Sequence, residues 1–251
     1  MLSAKNSNGE IVYSFKVKKE DGPFFCPLCG EKLVLKHGPI KIAHFAHKPN
    51  TSCYFGRRES IEHMEAKHYL YTWLESQGVK AKIEEPIGNG IVDVLFYPLN
   101  YPKGVCIELQ HSFISINEII DRLKNCTSYS LPSLWINLSN KIFISYSYTK
   151  DKYYIEYGGS RLPIQEKFLF SLYFGNALYY RKGEVYKVRL FKWTKNMYLD
   201  SFTRGLYTTY LKKRIEDVKK INIIYDFKPF YRKAFKTKRY TIPDCLLWLP
   251  K

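Results

Sequence analysis

The pattern of hydrophobic and polar positions divides the chain into stretches of different character. Residues 1–22 alternate briefly in IVYSFKV, which predicts a short hairpin or arm. Residues 23–56 are dense in Cys, His, Gly and Pro, residues 57–140 alternate helical and strand patterns, and residues 141–251 are rich in tyrosine and basic residues. We therefore predict an N-terminal arm with a metal-binding module over 1–56, a core over 57–140 and a C-terminal region over 141–251.

The middle stretch has the clearest periodicity. ESIEHMEAKHYLYTWLES, residues 59–76, has apolar side chains at three- and four-residue steps, which predicts an amphipathic helix that stops near Gly78. VKAKIEEPIGNGIVDVLFYPL predicts two short strands around a Gly-Asn-Gly turn, and GVCIELQHS predicts a third strand. ISINEIIDRLKNCTSY predicts a second helix, and LPSLWINLS a further strand. This order of elements predicts a mixed α/β core.

The last stretch predicts a strand at KIFISYSY and a helix from about Phe202 to Lys220. It also holds most of the charge: residues 141–251 carry 24 Lys/Arg against 9 Asp/Glu, a net of +15 out of +17 for the whole chain. Basic groups neutralise phosphates and aromatic rings stack on bases, so the composition favours nucleic acid, with a solvated basic surface over an aromatic core as the alternative. The residues expected to contact DNA here are Lys212, Lys213, Arg214, Lys236, Lys238 and Arg239.

Composition limits the class of protein. Hydrophobic residues make up 45% of the chain and charged residues 25%, which is typical of a globular protein and excludes disorder as the default. No apolar run approaches the roughly 18 residues that would span a bilayer. The first residues, MLSAKNSNGEIVYSF, lack the apolar core of a signal peptide. We therefore expect a cytoplasmic protein with reduced cysteines and no membrane partner.

Residues 26–53 carry a set of candidate zinc ligands. Cys26-Pro-Leu-Cys29-Gly has the spacing of a zinc knuckle, and His44, His47 and Cys53 follow it. Because Zn²⁺ prefers four tetrahedral nitrogen and sulfur ligands, we expect Cys26, Cys29 and two of the other three to bind it, and the sequence does not decide which two. Such a site has no open coordination position, so the zinc would be structural. The alternative is a reduced C-x-x-C with nearby surface histidines.

Two acidic residues lie inside apolar strands. Asp93 stands within IVDVLF and Glu108 within CIELQ, where a carboxylate is costly unless a metal ion or a partner stabilises its charge. On adjacent strands the two could bind one Mg²⁺ or Mn²⁺ ion, which would polarise a scissile phosphate and activate water. In the D-x(n)-E-x-K arrangement a lysine follows the glutamate by two residues; here that position is Gln110, which can orient water without carrying charge. The alternative is two edge-strand acids that face solvent.

The predicted helices add further candidates. Glu59, His63 and Lys67 are spaced four residues apart, so they lie on one face of the first helix and would line the same site. An ordinary ion-pair stripe on the surface is the alternative. On the second helix, Arg122 could reach a phosphate.

Taken together, these motifs resemble the CoiA family of bacterial competence proteins. The matching pieces are FFCPLCGEKLVLKHG, KIAHFAH, ESIEH, VDV, ELQHS, and Arg122 and Tyr129 before LWIN, in the family's order over about residues 24–140. The family has the E-x-Q form, so Gln110 is no departure. The residues before Asp93 are Ile91 and Val92, where the family tends to have Arg-Pro.

The resemblance implies an N-terminal zinc-ribbon-like module and a PD-(D/E)XK restriction-endonuclease-like mixed sheet flanked by helices, followed here by a basic α/β extension. It also implies a role in processing or recombining incoming DNA during transformation, with recombination proteins as partners. We therefore expect a hydrolase: a DNA nuclease that depends on Mg²⁺ or Mn²⁺ and carries a structural Zn²⁺. The alternative is an inactive nuclease fold that binds DNA as a recombination accessory protein.

Overall fold

The structure is a computed structural model. It describes residues 1–39, 41–56, 59–138, 142–147, 152–157, 163–181, 183–189, 195–199, 206–210, 214–215, 217–236 and 240–251.

The N-terminal module, residues 1–56, contains a small antiparallel sheet. Its strands are β1 (Ser3–Lys5), β2 (Ile11–Tyr13), β3 (Phe24–Phe25), β4 (Lys32–Lys36) and β5 (His44–His47). They are arranged in the order β2-β1-β3-β4-β5. The hairpin predicted near the beginning of the chain is formed by β1 and β2, and its second strand ends at Tyr13.

The middle stretch has the predicted order of helices and strands. It consists of α1 (Ile61–Ser76), β6 (Ala81–Ile87), β7 (Gly90–Phe96), β8 (Val105–Gln110), α2 (Ile116–Ser128) and β9 (Ser133–Asn137). Strands β6, β7 and β8 are antiparallel neighbours, whereas β8 and β9 run parallel on either side of the α2 crossover. The mixed α/β core predicted from the sequence is confirmed.

The remaining elements follow β9 in the chain. They are β10 (Ile142–Ser147), β11 (Lys152–Tyr157), α3 (Ile164–Leu172), β12 (Asn176–Arg181), β13 (Glu184–Arg189), β14 (Lys195–Leu199), β15 (Leu206–Tyr210), β16 (Arg214–Ile215), β17 (Asp217–Ile221), β18 (Phe227–Arg232), β19 (Phe235–Lys236), β20 (Thr241–Ile242) and β21 (Cys245–Pro250). The strand predicted at KIFISYSY is confirmed by β10.

The helix predicted from about Phe202 to Lys220 is wrong where the structure describes that stretch, because β15, β16 and β17 occupy it. The strand LYTTY is built from aromatic and β-branched residues, which fit a pleated sheet better than a helix. In β17, Val218 pairs with Val188 of β13, and its side chain is buried. Tertiary pairing therefore outweighs the helix-forming lysines of this stretch.

The large sheet continues past residue 140. Its strands follow the order β17-β13-β12-β9-β8-β7-β6, and β21 and β18 extend from β9. The edge of β9 away from β8 is divided: Asn137 pairs with β12 and Ser133 pairs with β21. The predicted division at residue 140 is thus a change of composition that the sheet crosses, and the domain limits stay predictions.

Helices cover both faces of this sheet. On one face, Leu70 and Leu74 of α1 pack with Ile83, Val94 and Ile107. On the other face, the apolar side of α2 packs with Trp135 of β9 and with β21 and α3. The N-terminal ends of α1 and α2 approach the sheet where β7 and β8 carry their acidic residues. None of the helices in the described residues is long and apolar enough to cross a membrane.

Candidate functional site

Four ligand-type side chains of the N-terminal module meet in a Cys/His cluster, defined as Cys26, Cys29, His47 and Cys53. Their ligand atoms all lie within 4.8 Å of one another. Cys26 Sγ is 4.0 Å from Cys53 Sγ, and Cys29 Sγ is 3.4 Å from His47 Nε2. Three thiols and one imidazole are a donor set that could bind a metal such as zinc.

His44, the fifth candidate, lies outside the cluster. Its Nδ1 is 2.9 Å from the carbonyl oxygen of Ile42, within its own loop. Side chains three residues apart in a strand point to opposite faces, so β5 can direct only one of His44 and His47 towards the cysteines. Of the three residues that the sequence left open, His47 and Cys53 lie with Cys26 and Cys29, and zinc binding by these four stays a prediction.

Burial affects the thiols of the Cys/His cluster. Burial first, and then the neighbouring thiols, raise the pKa of Cys26 to about 12, and burial also raises the pKa of Cys53. A thiol must lose its proton to bind a metal, so a bound cation would replace these protons.

A second site lies beyond the module, in a cavity of about 450 Å³ that we call the acid pocket. Its wall contains most of the predicted catalytic residues together with two carboxylates that the sequence did not single out, those of Glu84 and Glu118. The lining residues with ionisable side chains are Tyr54, Glu59, His63, Lys67, Glu84, Asp93, Glu108, Glu118, Arg122 and Cys126. The structure thus brings together Asp93, Glu108 and the predicted face of α1.

The N-terminus of α1 presents its side chains to the acid pocket. Ser60 caps the helix by accepting a hydrogen bond from the His63 amide at 3.2 Å, which places Glu59 just before the first turn. His63 Nδ1 is 3.3 Å from Glu59 Oε1, and its Nε2 is 3.1 Å from Asp93 Oδ2. Lys67 forms ion pairs with Glu59 and, at 2.5 Å, with Glu84 Oε1. This stripe is therefore an internal network rather than a solvated surface.

Asp93 and Glu108 stand at facing positions, because the β7–β8 register continues from the pair Val94 and Ile107. Asp93 Oδ2 accepts a hydrogen bond from the Leu109 amide at 2.8 Å, and Glu108 Oε2 forms an ion pair with Arg122 Nη1 at 2.7 Å. Among the described residues, these hydrogen bonds and ion pairs reach only Asp93 Oδ2 and Glu108 Oε2, and the other oxygen of each carboxylate has none.

Glu84 was not predicted from the sequence as a residue of the site. Its carboxylate accepts hydrogen bonds from the Leu2 amide at 2.8 and 2.9 Å, the Ser3 amide at 2.9 Å and the Ser3 hydroxyl at 2.8 Å. Its backbone has a positive φ of 54°, in the left-handed region that a glutamate rarely adopts. That conformation buries both Ile83 and Glu84, although strand alternation would bury only one of them. The only signal in the sequence is a pair of glutamates before Pro86 in a predicted strand.

The pKa values separate the three strand carboxylates. Burial alone would raise the pKa of Glu84, but Lys67 and the donors from the N-terminal module hold it at about 2. Burial is likewise outweighed at Asp93, where His63 and then Lys67 hold the pKa well below its ordinary value. Burial and the charge of Asp93 raise the pKa of Glu108 well above its ordinary value, despite Arg122. Among these three carboxylates, the charged form of Glu108 is therefore the least compensated.

This donor set suits a hard divalent cation. Asp93 and Glu108 each have a second carboxylate oxygen with no recorded hydrogen bond within the described residues. Mg²⁺ and Mn²⁺ prefer oxygen ligands, and such a cation would offset both the burial of Glu108 and its repulsion by Asp93, which together raise the pKa of Glu108.

Gln110 and Arg122 make contacts other than those that the sequence predicts for them. Gln110 is not among the residues that line the acid pocket, and its side-chain amide donates to the carbonyl of Ser112. Arg122 does line the pocket, but it pairs with Glu108 and, through Nη2 at 2.9 Å, with Glu118 rather than lying free. Contact of Arg122 with a phosphate would therefore require exchange of its partners.

The predicted DNA contacts of the C-terminal region are described only in part. Lys236 ends β19 with an exposed side chain, and Arg214 begins β16, which pairs with β11. Lys212, Lys213, Lys238 and Arg239 lie outside the described residues. The expectation that these side chains contact DNA stays a prediction.

Comparison with known proteins gives matches in both parts of the chain that carry these sites. A family model described as the N-terminal domain of competence protein CoiA matches residues 10–56, and a model described as its nuclease-like domain matches residues 59–151. Competence protein CoiA of Bacillus subtilis (strain 168) is 47% identical over 62 residues, which are 24% of this chain and 17% of that relative. No solved structure matches. The two family models together span more than half of the chain.

Proposed function

Because the chain belongs to the CoiA family of competence proteins, we propose that its acid pocket is the active site of a DNA nuclease. The reaction is the hydrolysis of phosphodiester bonds with Mg²⁺ or Mn²⁺, in the processing or recombination of incoming DNA. The observation that carries this proposal is the convergence of Asp93 and Glu108 with Glu59, His63 and Lys67 in one cavity.

Asp93 and Glu108 would hold the catalytic cation through the oxygens that their recorded contacts leave available. A bound divalent cation would offset the negative charge of a phosphate oxygen and lower the pKa of the water that it binds. His63 lies between Glu59 and Asp93 with a carboxylate at each ring nitrogen, so it would hold these two carboxylates in position around the attacking water. Lys67 balances Glu59 and Glu84 and keeps this negative cluster together.

Arg122 would assist by changing partners. Its guanidinium would exchange Glu108 for a phosphate of the substrate, which suits its fork of donors. Gln110 has the weakest claim to a catalytic role, because its amide is engaged with Ser112 outside the pocket wall.

Zinc at the Cys/His cluster would be structural. Three thiolates and one imidazole fill the four positions that zinc prefers, which leaves none open for a substrate. The exposed lysines around Lys236 and the basic residues of the C-terminal region would hold the DNA backbone by neutralising its phosphates. Recombination proteins are the partners that this role would require.

A second candidate function is an inactive nuclease fold that binds DNA as a recombination accessory protein. It is favoured by the ion pair between Arg122 and Glu108 and by the glutamine at position 110, because both leave less cationic charge for a substrate phosphate. Both functions predict DNA binding, so binding alone does not separate them.

Cleavage assays with the variants Asp93→Asn and Glu108→Gln separate the two. Labelled single-stranded, duplex and plasmid DNA are incubated with Mg²⁺ or Mn²⁺. We expect each variant to lose cleavage by about 1,000-fold or more while binding DNA as the parent does, because removal of a main catalytic group typically costs this much.

The matched control is Asp121→Asn, which removes an exposed carboxylate on α2 outside the acid pocket. Its cleavage should equal that of the parent. Absence of cleavage by the parent on every DNA form with either cation would favour the accessory role, and cleavage by both variants at the parent's rate would place the active site elsewhere.

A further inference from the structure

We propose that Glu84 is a positioning residue that connects the metal-binding N-terminal module to Lys67 of the acid pocket. The proposal rests on the function proposed above and adds a control to it: the pocket is correctly arranged only when the module is folded around its metal. Glu84 acts through Lys67 and the module, and it need not touch the substrate.

The connection begins at the Cys/His cluster. Strand β3 leads directly into Cys26, and its Phe25 pairs with Lys5 of β1. On the other side of the module, the Phe45 amide of β5 donates to the Met1 carbonyl at 2.9 Å, two residues before His47. The backbone of Leu2 and Ser3 is therefore held between β3, which leads into Cys26, and β5, which carries His47.

The next step runs from this backbone to Glu84. The amides of Leu2 and Ser3, and the hydroxyl of Ser3, all donate to the Glu84 carboxylate at 2.8 to 2.9 Å. Glu84 is 3% exposed and has φ 54°. A non-glycine residue in the left-handed region is strained and persists only where its surroundings hold it. The donors from the module are the contacts that hold it here.

The last step runs from Glu84 to Lys67, whose ammonium lies 2.5 Å from Glu84 Oε1 and also pairs with Glu59. Lys67 is 2% exposed, so its charge has no access to solvent as a substitute for these partners. Displacement of Glu84 would therefore shift the Lys67 ammonium and, with it, the Glu59 and His63 side of the acid pocket.

A second connection lies beside the first. Tyr54, Phe55 and Gly56 follow the cluster residue Cys53 and form part of the pocket wall. Phe55 packs in the core of the module, together with Cys26 and Cys53. The module thus supplies both a wall of the acid pocket and the donors that hold one of its carboxylates. Loss of the metal would disturb both, whereas Asp93 and Glu108 belong to the sheet.

The test measures how fast an amine-acylating reagent labels Lys67, with the exposed Lys103 as the internal reference. Three variants are compared: Glu84→Gln, Cys29→Ser, which removes one ligand of the cluster, and the double variant. The matched control is Glu85→Gln, because Glu85 is the next residue of the same strand and pairs with Lys82 at the surface.

In the parent and in Glu85→Gln, we expect Lys67 to be labelled at least about tenfold more slowly than Lys103, because labelling requires local opening. Glu84→Gln and Cys29→Ser should each accelerate labelling of Lys67 several-fold. The double variant should be no faster than the faster single variant, because both changes act along the same chain of contacts.

Two results would overturn the proposal. Lys67 protected in Glu84→Gln as well as in Glu85→Gln would mean that Glu84 does not hold it. Additive acceleration in the double variant would mean that the module acts by another route. If Glu84→Gln does not fold, Ser3→Ala replaces it, because that change removes only one of the donors to Glu84, and a smaller acceleration is then expected.

Cleavage gives a second measurement with a different dependence. We expect Glu84→Gln to lower kcat about tenfold with KM for DNA within about twofold, because small misplacement of a catalytic group affects the reaction more than binding. A parent that does not cleave DNA would contradict the nuclease function alone, and the labelling of Lys67 would still decide the role of Glu84.

Discussion

Glu84 and Glu108 lie on β6 and β8, the two neighbours of β7, and both carboxylates are almost completely buried. Their pKa values nevertheless move in opposite directions, to about 2 for Glu84 and well above the ordinary value for Glu108. Glu84 accepts hydrogen bonds from two backbone amides and a hydroxyl and pairs with Lys67. Glu108 has one guanidinium partner and faces the charge of Asp93.

The number of donors around a carboxylate, rather than its depth of burial, therefore decides whether it is charged in this pocket. The side built by the N-terminal module is supplied with enough donors to keep its carboxylate charged. Around Glu108, which lies between β8 and α2, the donors are too few to do so. A divalent cation would supply the missing positive charge there, so the same imbalance that destabilises the charged form of Glu108 would favour metal binding.

The largest expected difference concerns stability at pH 7. Glu84→Gln should lower the free energy of unfolding by about 3 kcal/mol, because removal of one partner of a buried ion pair leaves the other uncompensated. Glu108→Gln should change it by less than about 1 kcal/mol, because the amide resembles the protonated acid that burial favours. Urea unfolding followed by circular dichroism, without added divalent cations, measures both.

Equal losses of unfolding free energy for the two variants would contradict this difference, because they would show that burial alone sets the energy of both carboxylates. The control Glu85→Gln removes a partly exposed ion pair with Lys82 and should lie within about 0.5 kcal/mol of the parent.

A smaller effect is expected in the pH dependence of stability. The pKa of Glu84 is lowered from 4.5 to about 2 by folding, so its contribution is fully present above about pH 4.5 and is lost as pH falls towards 2. The pKa of Glu108 is raised, so its contribution has the opposite sign and decreases as pH rises above about 4.5. The loss of unfolding free energy in Glu84→Gln should therefore be smaller at low pH. Any gain of unfolding free energy in Glu108→Gln should increase towards neutral pH.

Unfolding free energies measured from pH 3 to pH 7 (roughly the range over which the unfolded carboxyls titrate) test both signs. A deficit of Glu84→Gln that stays constant over that range would show that its carboxylate is not the group whose charge stabilises the fold.

The smallest expected effect concerns Arg122, whose side chain is 38% exposed. Arg122→Met should lower the unfolding free energy by about 1 kcal/mol, because a partly exposed ion pair contributes little and Glu108 can take up a proton when its partner is lost. Chemical denaturation at pH 7 measures it. A loss as large as that of Glu84→Gln would mean that Glu108 is charged and depends on Arg122, which would remove the contrast between the two sides.

Most of the central fold could be predicted from the sequence because its signals are local. The helix predicted from Glu59 begins at Ile61 with Ser60 as its cap, and the Gly-Asn-Gly turn separates β6 from β7 as expected. Asp93 and Glu108 could be singled out because an acid within an apolar strand is visible in the sequence alone. These features depend on periodicity and on neighbours within a few residues.

Glu84 could not be predicted, because its donors come from Leu2 and Ser3, about eighty residues earlier in the chain. Its left-handed backbone also breaks the alternation on which a strand prediction depends. The helix prediction between Phe202 and Lys220 failed for a related reason. Strand β17 is held by pairing with β13, and local helix propensity takes no account of such a pairing.

The divided edge of β9 has a consequence for the timing of synthesis. Strand β21 pairs with Ser133, and its Leu247 packs against Leu123 on α2, the helix that carries Arg122. A ribosome must therefore release residues 245–250 before α2 has its full support and the wall of the acid pocket is complete. The active site proposed above would therefore be assembled only after synthesis had passed β21.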